Sequence, residues 1–173
     1  TIFFVAEDRA MQSIFSIPSA GGKIKEIHRG GTNSGASLAF GDRFMVFTKN
    51  TLNSPDEIFR IYLHRGNVQK MTSFNDEMLA KVQFGKVENV TYKGANDADV
   101  QMFIIYPVDF DPAKKYPMVI MIHGGPHGTF GDQWHYRWNA HLFAAPGYIT
   151  IMPNFHGSTS FGQDFAISIH GNH

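Results

Sequence analysis

The sequence has no cysteine and no excess charge of either sign. Without cysteine, the chain cannot form a disulfide, a thiolate metal site or a cysteine nucleophile. Its 15 basic and 15 acidic residues give a formal net charge of zero, so no bulk field attracts nucleic acid or an anionic membrane. We therefore expect neither of these partners, and we predict no cofactor and no bound metal.

Long apolar stretches and an N-terminal signal peptide are also missing. No apolar run approaches the length of a membrane span. Residues 1–5 are already strand-like, so we expect this chain to be the middle of a longer protein. Neither observation assigns a compartment. What is present is 43% hydrophobic and 17% charged residues, a composition typical of a globular protein.

The first part of the chain contains an internal repeat. Residues 14–17 (IFSI) match residues 58–61 (IFRI), an offset of 44, and other apolar positions match at the same offset without a gap. This spacing predicts strands at residues 2–6, 12–17 and 23–27 of one repeat, at 43–48, 57–63 and 67–72 of the next, and an inner strand at 35–40. A period of this length with short strands is typical of β-propeller blades. An unrelated β-meander with chance similarity is the alternative.

The second part changes character between residues 74 and 86, and we place a domain boundary near residue 78. Residues 1–78 are predicted to be propeller blades, and residues 79–173 a second domain. Two lead-in strands are predicted at 87–92 and 100–107, joined by a polar turn. The apolar run at 118–122 predicts a buried central strand, covered on both faces, of a mostly parallel sheet.

A glycine loop follows this central strand. His123, Gly124, Gly125 and Pro126 end the apolar run, and two successive glycines let the backbone approach a ligand closely. The same residues are also compatible with an ordinary tight turn. We predict a helix at 130–146, a second parallel strand at 148–153 and a helix beginning near 161. Strand, glycine loop, helix and strand form half of a doubly wound sheet.

These motifs together resemble the prolyl oligopeptidase family of serine peptidases, especially its acylaminoacyl-peptidase and dipeptidyl-peptidase branches. The resemblance spans residues 79–173. The residues that carry it are, in chain order, Tyr116-Pro117, His123-Gly124-Gly125-Pro126, Tyr136-Arg137-Trp138-Asn139, Gly147-Tyr148, Pro153-Asn154, Gly157-Ser158 and Phe161-Gly162. The resemblance implies propeller blades followed by the N-terminal part of an α/β-hydrolase domain with a mixed, mostly parallel sheet, acting on peptides. Ser160 and His156 depart from the family pattern, which has glycine and arginine at these positions.

The catalytic triad of such a peptidase is not found in the chain. Its serine stands in a G-x-S-x-G turn between a strand and a helix, and residues 31–35, 35–39 and 157–161 all fail to match this pattern. The resemblance implies that serine, acid and histidine all lie beyond His173. We therefore expect the isolated chain to be inactive. We also expect the rest of the polypeptide, or another chain, to complete the sheet.

What the chain retains of an active site is the glycine loop. The resemblance makes Gly125 the backbone N–H donor to the oxyanion, with His123, Gly124 and Pro126 supporting the loop; His123 as an acid–base group is the alternative. The candidate substrate contacts are Arg137, Trp134, Asn154 and Ser158. Arg137 is alternatively a domain-bridging ion pair, and Trp134, with its aromatic neighbours, alternatively packs the predicted helix on the sheet. The pairs His123/His127 and His170/His173 lack a third metal ligand.

Three functions remain open at this point. The first is a dipeptidyl- or acylaminoacyl-type serine peptidase, of which this chain is one part. The second is a binding module with propeller blades and no chemistry of its own. The third is an esterase that shares the oxyanion loop, against which the upstream repeat argues.

Overall fold

The chain divides into two units in the computed structural model, which describes residues 1–39, 41 and 43–171. The first unit comprises Thr1–Lys81 together with Gly131–Trp134. The second comprises Val82–Phe130 and the residues from His135 onwards. The division after Lys81 lies three residues from the boundary at residue 78 that we placed on sequence alone.

The first unit is built from seven strands and one short helix. They are β1 (Ile2–Asp8), β2 (Met11–Ile17), β3 (Lys25–His28), β4 (Thr32–Ala39), β5 (Phe44–Thr51), β6 (Ser54–Tyr62), β7 (Val68–Lys70) and α1 (Asp76–Leu79). The strands predicted from the repeat are confirmed to within a few residues. The inner strand is β4, which begins three residues before the predicted start, and the predicted end at Phe40 lies outside the described residues. Helix α1 was not predicted.

Strands β4 to β7 pair in order as an antiparallel meander, and β1 to β3 form a second antiparallel group. The repeat is visible in the pairing, with a difference of one residue. Ile14 of β2 lies opposite Val5, whereas Ile58 of β6 lies opposite Thr48. An offset of 44 would have placed Ile58 opposite Lys49. The register of the second hairpin is therefore shifted by one position.

A compact apolar cluster lies at the centre of this unit. Ile14, Met45, Phe47 and Ile61 are each at most 1% exposed, and partly buried aromatic and aliphatic side chains pack around them. Met45 and Phe47 of β5 are two residues apart, as are Phe59 and Ile61 of β6, so one side of each strand faces the cluster. The period-two geometry of a strand thus places these apolar side chains together.

Residues 131–134 belong to the first unit because their polar groups bind its strands and turns. The Asp132 N–H donates to the Ala10 carbonyl at 2.9 Å, and the Leu52 N–H donates to the Asp132 carboxylate at 2.8 Å. The Trp134 N–H donates to the Asn50 side chain at 3.0 Å. In a helix over residues 130–146 the Trp134 N–H would donate to the Phe130 carbonyl, so its bond to Asn50 uses a group that the helix would need.

The predicted helix over residues 130–146 is therefore wrong in its first ten residues. The observed helix, α2, spans Ala140–Ala144, and the Asn139 side chain caps it by accepting from the His141 N–H. Upstream of the cap, the backbone of residues 131–134 is bound elsewhere, and residues 135–138 form a separate turn. The residues that were predicted to form the start of this helix therefore lie in two other environments.

The second unit is a four-stranded sheet with two helices. Its strands are β8 (Val87–Lys93), β9 (Asp99–Ile105), β10 (Met118–Ile120) and β11 (Ile149–Asn154), in the order β10-β11-β9-β8, and the helices are α2 and α3 (Gln163–Ile167). A short 3-10 helix, Ala95–Asp97, lies in the predicted polar turn. The two lead-in strands and the helix after residue 161 are confirmed.

The sheet is mixed, but it is not mostly parallel over the residues described. Strands β10 and β11 are parallel, as predicted, whereas β8/β9 and β9/β11 are antiparallel. Strand β10 is also shorter than predicted and lies at the edge. Met118 and Ile120 are 55% and 50% exposed. The prediction of a central strand covered on both faces is wrong. An apolar run shows that a strand can be buried, but it does not show which other strands and helices lie beside it.

Candidate functional site

The glycine loop follows β10 directly and has an unusual backbone at its centre. Gly125 has φ +137°, and the peptide bond between Gly125 and Pro126 is cis. A Cβ at Gly125 would lie 2.7 Å from the backbone nitrogen of His127. The loop therefore requires glycine at this position. Gly124 has no such restriction, because a Cβ there would meet nothing within 4 Å.

The N–H of Gly125 has no hydrogen-bond partner among the residues that the structure describes. Gly125 is an exposed residue. Backbone N–H groups without internal partners are the donors that oxyanion sites use. Ordinary turn bonding involves its neighbours instead, because the Gly128 N–H donates to the Pro126 carbonyl at 2.8 Å.

The side chain of His123 connects the start of the loop to neighbouring residues through a hydrogen bond and ring contacts. Its Nε2 is 3.0 Å from the hydroxyl oxygen of Ser158. Its ring stacks on Phe155, with centroids 4.4 Å apart, and meets Phe130 edge-on at 5.1 Å. Ser158 is 0% exposed, so its hydroxyl is buried against the His123 ring.

The middle of the loop is joined to residues 157–159 by further hydrogen bonds. His127 Nδ1 is 3.0 Å from the carbonyl oxygen of Gly157. The Thr159 N–H donates to the Gly128 carbonyl at 3.0 Å, and the hydroxyl of Thr129 donates to the Thr159 carbonyl at 2.9 Å. The two loops that follow the parallel strands β10 and β11 thus support each other at several successive positions.

Asn154, the last residue of β11, holds the end of the loop. Its Oδ1 accepts from the Phe130 N–H at 2.7 Å, and its Nδ2 donates to the Phe130 carbonyl at 2.9 Å. The same Nδ2 also donates to Oε1 of Gln101. Gln101 in turn donates from Nε2 to Oδ1 of Asn89 at 2.7 Å. A chain of amides therefore crosses β8, β9 and β11 and ends on the loop.

Arg137 lies in a tight turn that precedes α2. The Nδ1 atom of His135 accepts from the N–H groups of Arg137 and Trp138, at 3.1 and 2.9 Å. The Arg137 guanidinium lies 5.3 Å from the centroid of the Trp138 ring. Arg137 is exposed and forms no ion pair with the described residues. At the start of α2, burial lowers the pKa of His141, so His141 is uncharged near neutral pH.

The predicted site residues thus have different environments. Those of the glycine loop are brought together with Asn154 and Ser158, both of which are 0% exposed. Trp134 belongs to the first unit and lies outside the helix that was predicted to contain it. Contact of Asn154, Ser158, Arg137 and Trp134 with a substrate stays a prediction.

Several residues that shape the loop were missed by the sequence analysis. They are Asn89, Gln101, His127, Thr129 and Thr159. Asn89 and Gln101 carried a usable signal, since each is a carboxamide inside a predicted strand where apolar side chains dominate. Among the residues described, no group of three or more His, Cys, Asp or Glu could hold a metal ion. Within the same residues, no helix has the length and apolar character needed to cross a membrane.

Comparison with known sequences supports the family resemblance. Residues 134–173 match the prolyl oligopeptidase family. A probable dipeptidyl-peptidase 5 of Aspergillus clavatus is 33% identical over an alignment that covers 99% of this chain and 24% of the relative. Dipeptidyl-peptidase 5 of Porphyromonas gingivalis is 31% identical, with 99% and 25% covered. The chain therefore spans about a quarter of the length of these relatives.

Comparison with solved structures shows the same fold. The acylaminoacyl peptidase of Pyrococcus horikoshii superposes with a TM-score of 0.79 at 21% identity, over 96% of this chain and 25% of that one. Dipeptidyl peptidase 4 of Porphyromonas gingivalis superposes with a TM-score of 0.72 at 18% identity, over 96% and 24%. The sequence matches and the order of motifs around the glycine loop lead to one conclusion: the chain is similar, over nearly its whole length, to about a quarter of the length of peptidases named dipeptidyl-peptidase 5, and residues 134–173 match the prolyl oligopeptidase family.

Proposed function

We propose that this chain is part of a serine peptidase of the dipeptidyl- or acylaminoacyl-peptidase type, and that it supplies the oxyanion loop. The observation that carries the proposal is that Gly125 is an exposed residue whose N–H donates no hydrogen bond to a described residue. The loop that presents this N–H is anchored on both sides, by Ser158 at His123 and by Asn154 at Phe130. Such pre-organisation is what an oxyanion donor requires.

The two units are consistent with the two domains of such a peptidase, a β-propeller and an α/β-hydrolase domain. The β4–β7 meander and the 44-residue repeat support propeller blades in the first unit. The parallel pair β10/β11, each strand followed by a loop at its carboxyl end, supports an α/β-hydrolase portion in the second. The relatives of similar sequence are named dipeptidyl-peptidases, so short peptides are the proposed substrates.

The nucleophile, acid and base are proposed to come from the remainder of the polypeptide. No G-x-S-x-G pattern occurs in the 173 residues, and Ser158, which contacts a histidine, is fully buried. The exposed apolar edge of β10 is the proposed place where a further strand of the same polypeptide pairs. The isolated chain is accordingly proposed to have no peptidase activity, and turnover by it would contradict this division.

A matched pair of glycine substitutions tests the role of the loop in the full-length gene product. Gly125→Ala places a methyl group 2.7 Å from the backbone nitrogen of His127, so we expect the loop backbone to shift and the N–H to change direction. Gly124→Ala fills open space and preserves the backbone. We expect Gly125→Ala to lower kcat about 100- to 1,000-fold on a dipeptidyl nitroanilide or an N-acetyl-aminoacyl nitroanilide. The Gly124→Ala control should stay within about threefold of wild type.

Each outcome has a clear meaning. Turnover of the dipeptidyl substrate alone, or of the acylated substrate alone, decides between the two peptidase types. No turnover of either by the wild-type protein would refute the peptidase assignment. Equal activity of the Gly125→Ala variant and the wild type would refute the oxyanion role of Gly125 while leaving the enzyme class intact.

A further inference from the structure

The carboxamide of Asn154 makes the two hydrogen bonds to Phe130 that the backbone of a neighbouring strand would otherwise make. In a sheet, each residue's N–H and C=O are satisfied by the backbone of a neighbouring strand. At Phe130, one side chain satisfies both of these groups instead, with distances of 2.7 and 2.9 Å. Two bonds to one residue fix its orientation as well as its position. Phe130 is five residues from Gly125, so the path of the loop between them is defined at this end.

The orientation of this carboxamide is itself determined by its buried neighbours. Asn154 is 0% exposed and Gln101 is 7% exposed, so neither amide can exchange its partners for water. Oδ1 of Asn154 must face the Phe130 N–H because its Nδ2 is bound to two acceptors, the Phe130 carbonyl and Oε1 of Gln101. Gln101 can present that oxygen because its own Nε2 is bound to Asn89. The orientations of both carboxamides are therefore fixed by their hydrogen-bond partners.

We propose that Asn154 is a positioning residue for the glycine loop, and that its bonds to Phe130 fix the direction in which the Gly125 N–H points. This inference rests on the proposed function for its catalytic consequence, but the structural part stands apart from it. Asn154 had been a candidate substrate contact because it follows a parallel strand at its carboxyl end. Its complete burial and its use of both amide atoms within the protein assign it to the support of the loop instead.

Asn154→Asp is the informative substitution because it preserves shape. The carboxylate can still accept from the Phe130 N–H, but it cannot donate, and it faces the oxygens of Phe130 and Gln101. The matched control is Asn139→Asp in the same unit. The Asn139 side chain accepts from the His141 N–H in the helix cap, a role that aspartate performs equally well.

Hydrogen exchange of the full-length gene product measures the stability of the loop independently of catalysis. The reporters are the amides of Gly128 and Thr159, both of which are bonded within or across the loop. We expect exchange at these two amides to become at least about tenfold faster in Asn154→Asp, with β8 unchanged and the Asn139→Asp control equal to wild type. Unchanged exchange in the Asn154→Asp variant would overturn the proposal.

Steady-state kinetics then tests the catalytic consequence. Because a misdirected oxyanion donor affects the transition state, kcat should fall about 10- to 100-fold while KM stays within about twofold. The carboxyl group introduced by Asn154→Asp regains one donor when it is protonated, so the ratio of variant to wild-type kcat should rise as pH is lowered. A raised KM with unchanged kcat would overturn the proposal and make Asn154 a substrate contact.

A second variant decides the question if Asn154→Asp does not fold. Gln101→Met removes one partner of Asn154 and leaves both bonds to Phe130, so a smaller, about three- to tenfold fall in kcat and a matching rise in loop exchange are expected. A folded Gln101→Met protein with wild-type exchange and kcat would overturn the proposal. If the wild-type protein cleaves no peptide, the proposed function fails, and the exchange data alone still decide whether Asn154 holds the loop.

Discussion

Replacement of one buried carboxylate in the first unit should destabilise it in a pH-dependent way. Glu57 of β6 is 2% exposed. Its Oε1 accepts from the N–H and the side-chain amide of Asn75, at 2.8 and 3.0 Å, and its Oε2 accepts from the hydroxyl of Thr72. The carboxylate thereby binds the segment that follows β7. Lys70 contributes a longer contact, with its Nζ atom 4.0 Å from Oε1.

The magnitude follows from these contacts. Hydrogen bonds to a charged group contribute about 1.5–3 kcal/mol each, against about 0.5–1.5 kcal/mol for neutral pairs. In Glu57→Gln, the amide oxygen can still accept both bonds from Asn75, each weakened by about 1 kcal/mol, while the NH2 group faces the Thr72 oxygen. We therefore expect a loss of about 2 kcal/mol in the free energy of unfolding of this unit.

The sign of the pH dependence follows from the pKa of Glu57. Burial by itself would raise this pKa, but the hydrogen bonds from Thr72 and Asn75 outweigh it, and the pKa lies below its ordinary value of 4.5. The stabilisation is therefore fully present above pH 4.5 and is lost as pH falls through the folded-state pKa. The difference between wild type and Glu57→Gln should shrink over the same interval.

The assay is native-state hydrogen exchange of β6 amides in the full-length gene product, near neutral pH and at about pH 4, because it reports the opening free energy of one unit within a larger protein. The control is Glu77→Gln, since that side chain is 91% exposed and pairs with Lys81 in solvent; it should change stability by less than about 0.5 kcal/mol. A Glu57→Gln loss no larger than the control, or one that is independent of pH, would refute the reasoning.

Two further predictions concern the same unit. Gly31 and Gly66 share φ +70°, but a Cβ at Gly31 would lie 2.3 Å from the carbonyl oxygen of Asn50, whereas a Cβ at Gly66 would meet nothing within 4 Å. Gly66→Ala should lower the opening free energy of this unit by about 1 kcal/mol, and Gly31→Ala should lower it by about 2 kcal/mol more. Equal losses in the two variants would contradict this prediction. Burial raises the pKa of Asp132 above its ordinary 3.8 despite the hydrogen bond from Leu52, so the contribution of Asp132 to stability is lost as pH rises. The stability of Asp132→Asn relative to wild type should therefore increase between about pH 3 and pH 7. Hydrogen exchange measured at both pH values would show no such increase if the carboxylate were well solvated.

Local pattern was sufficient for the strands of both units. The match between residues 14–17 and 58–61 at an offset of 44 predicted β2 and β6, because short apolar segments that recur at this spacing are typical of strands in propeller blades. The turns between strands could also be predicted from their glycines, and Gly21, Gly22 and Gly66 do adopt positive φ. Such features depend on neighbours in the sequence and need no knowledge of the rest of the fold.

The segment between the glycine loop and α2 could not be predicted in the same way. It was predicted to be helical, but the Asp132 N–H donates to the Ala10 carbonyl and the Asp132 carboxylate accepts from the Leu52 N–H, and both partners lie 80 or more residues away. Long-range hydrogen bonds of this kind override local helix propensity. The start of α2 at Asn139 was visible only after these residues had been excluded from the helix.

The amino-acid sequence alone determined the repeat, the strands, the family resemblance and the position of the glycine loop, because each depends on residue type and spacing along the chain. Only the tertiary structure decided that Asn154 and Ser158 are buried and hydrogen-bonded to Phe130 and His123, that β10 lies at a sheet edge, and that the Gly125 N–H has no partner among the described residues. The physical reason is that hydrogen bonding and burial are properties of groups brought together by folding. A carboxamide after a strand has the same chemistry whether it meets a substrate or a backbone, and only its neighbours in space distinguish the two.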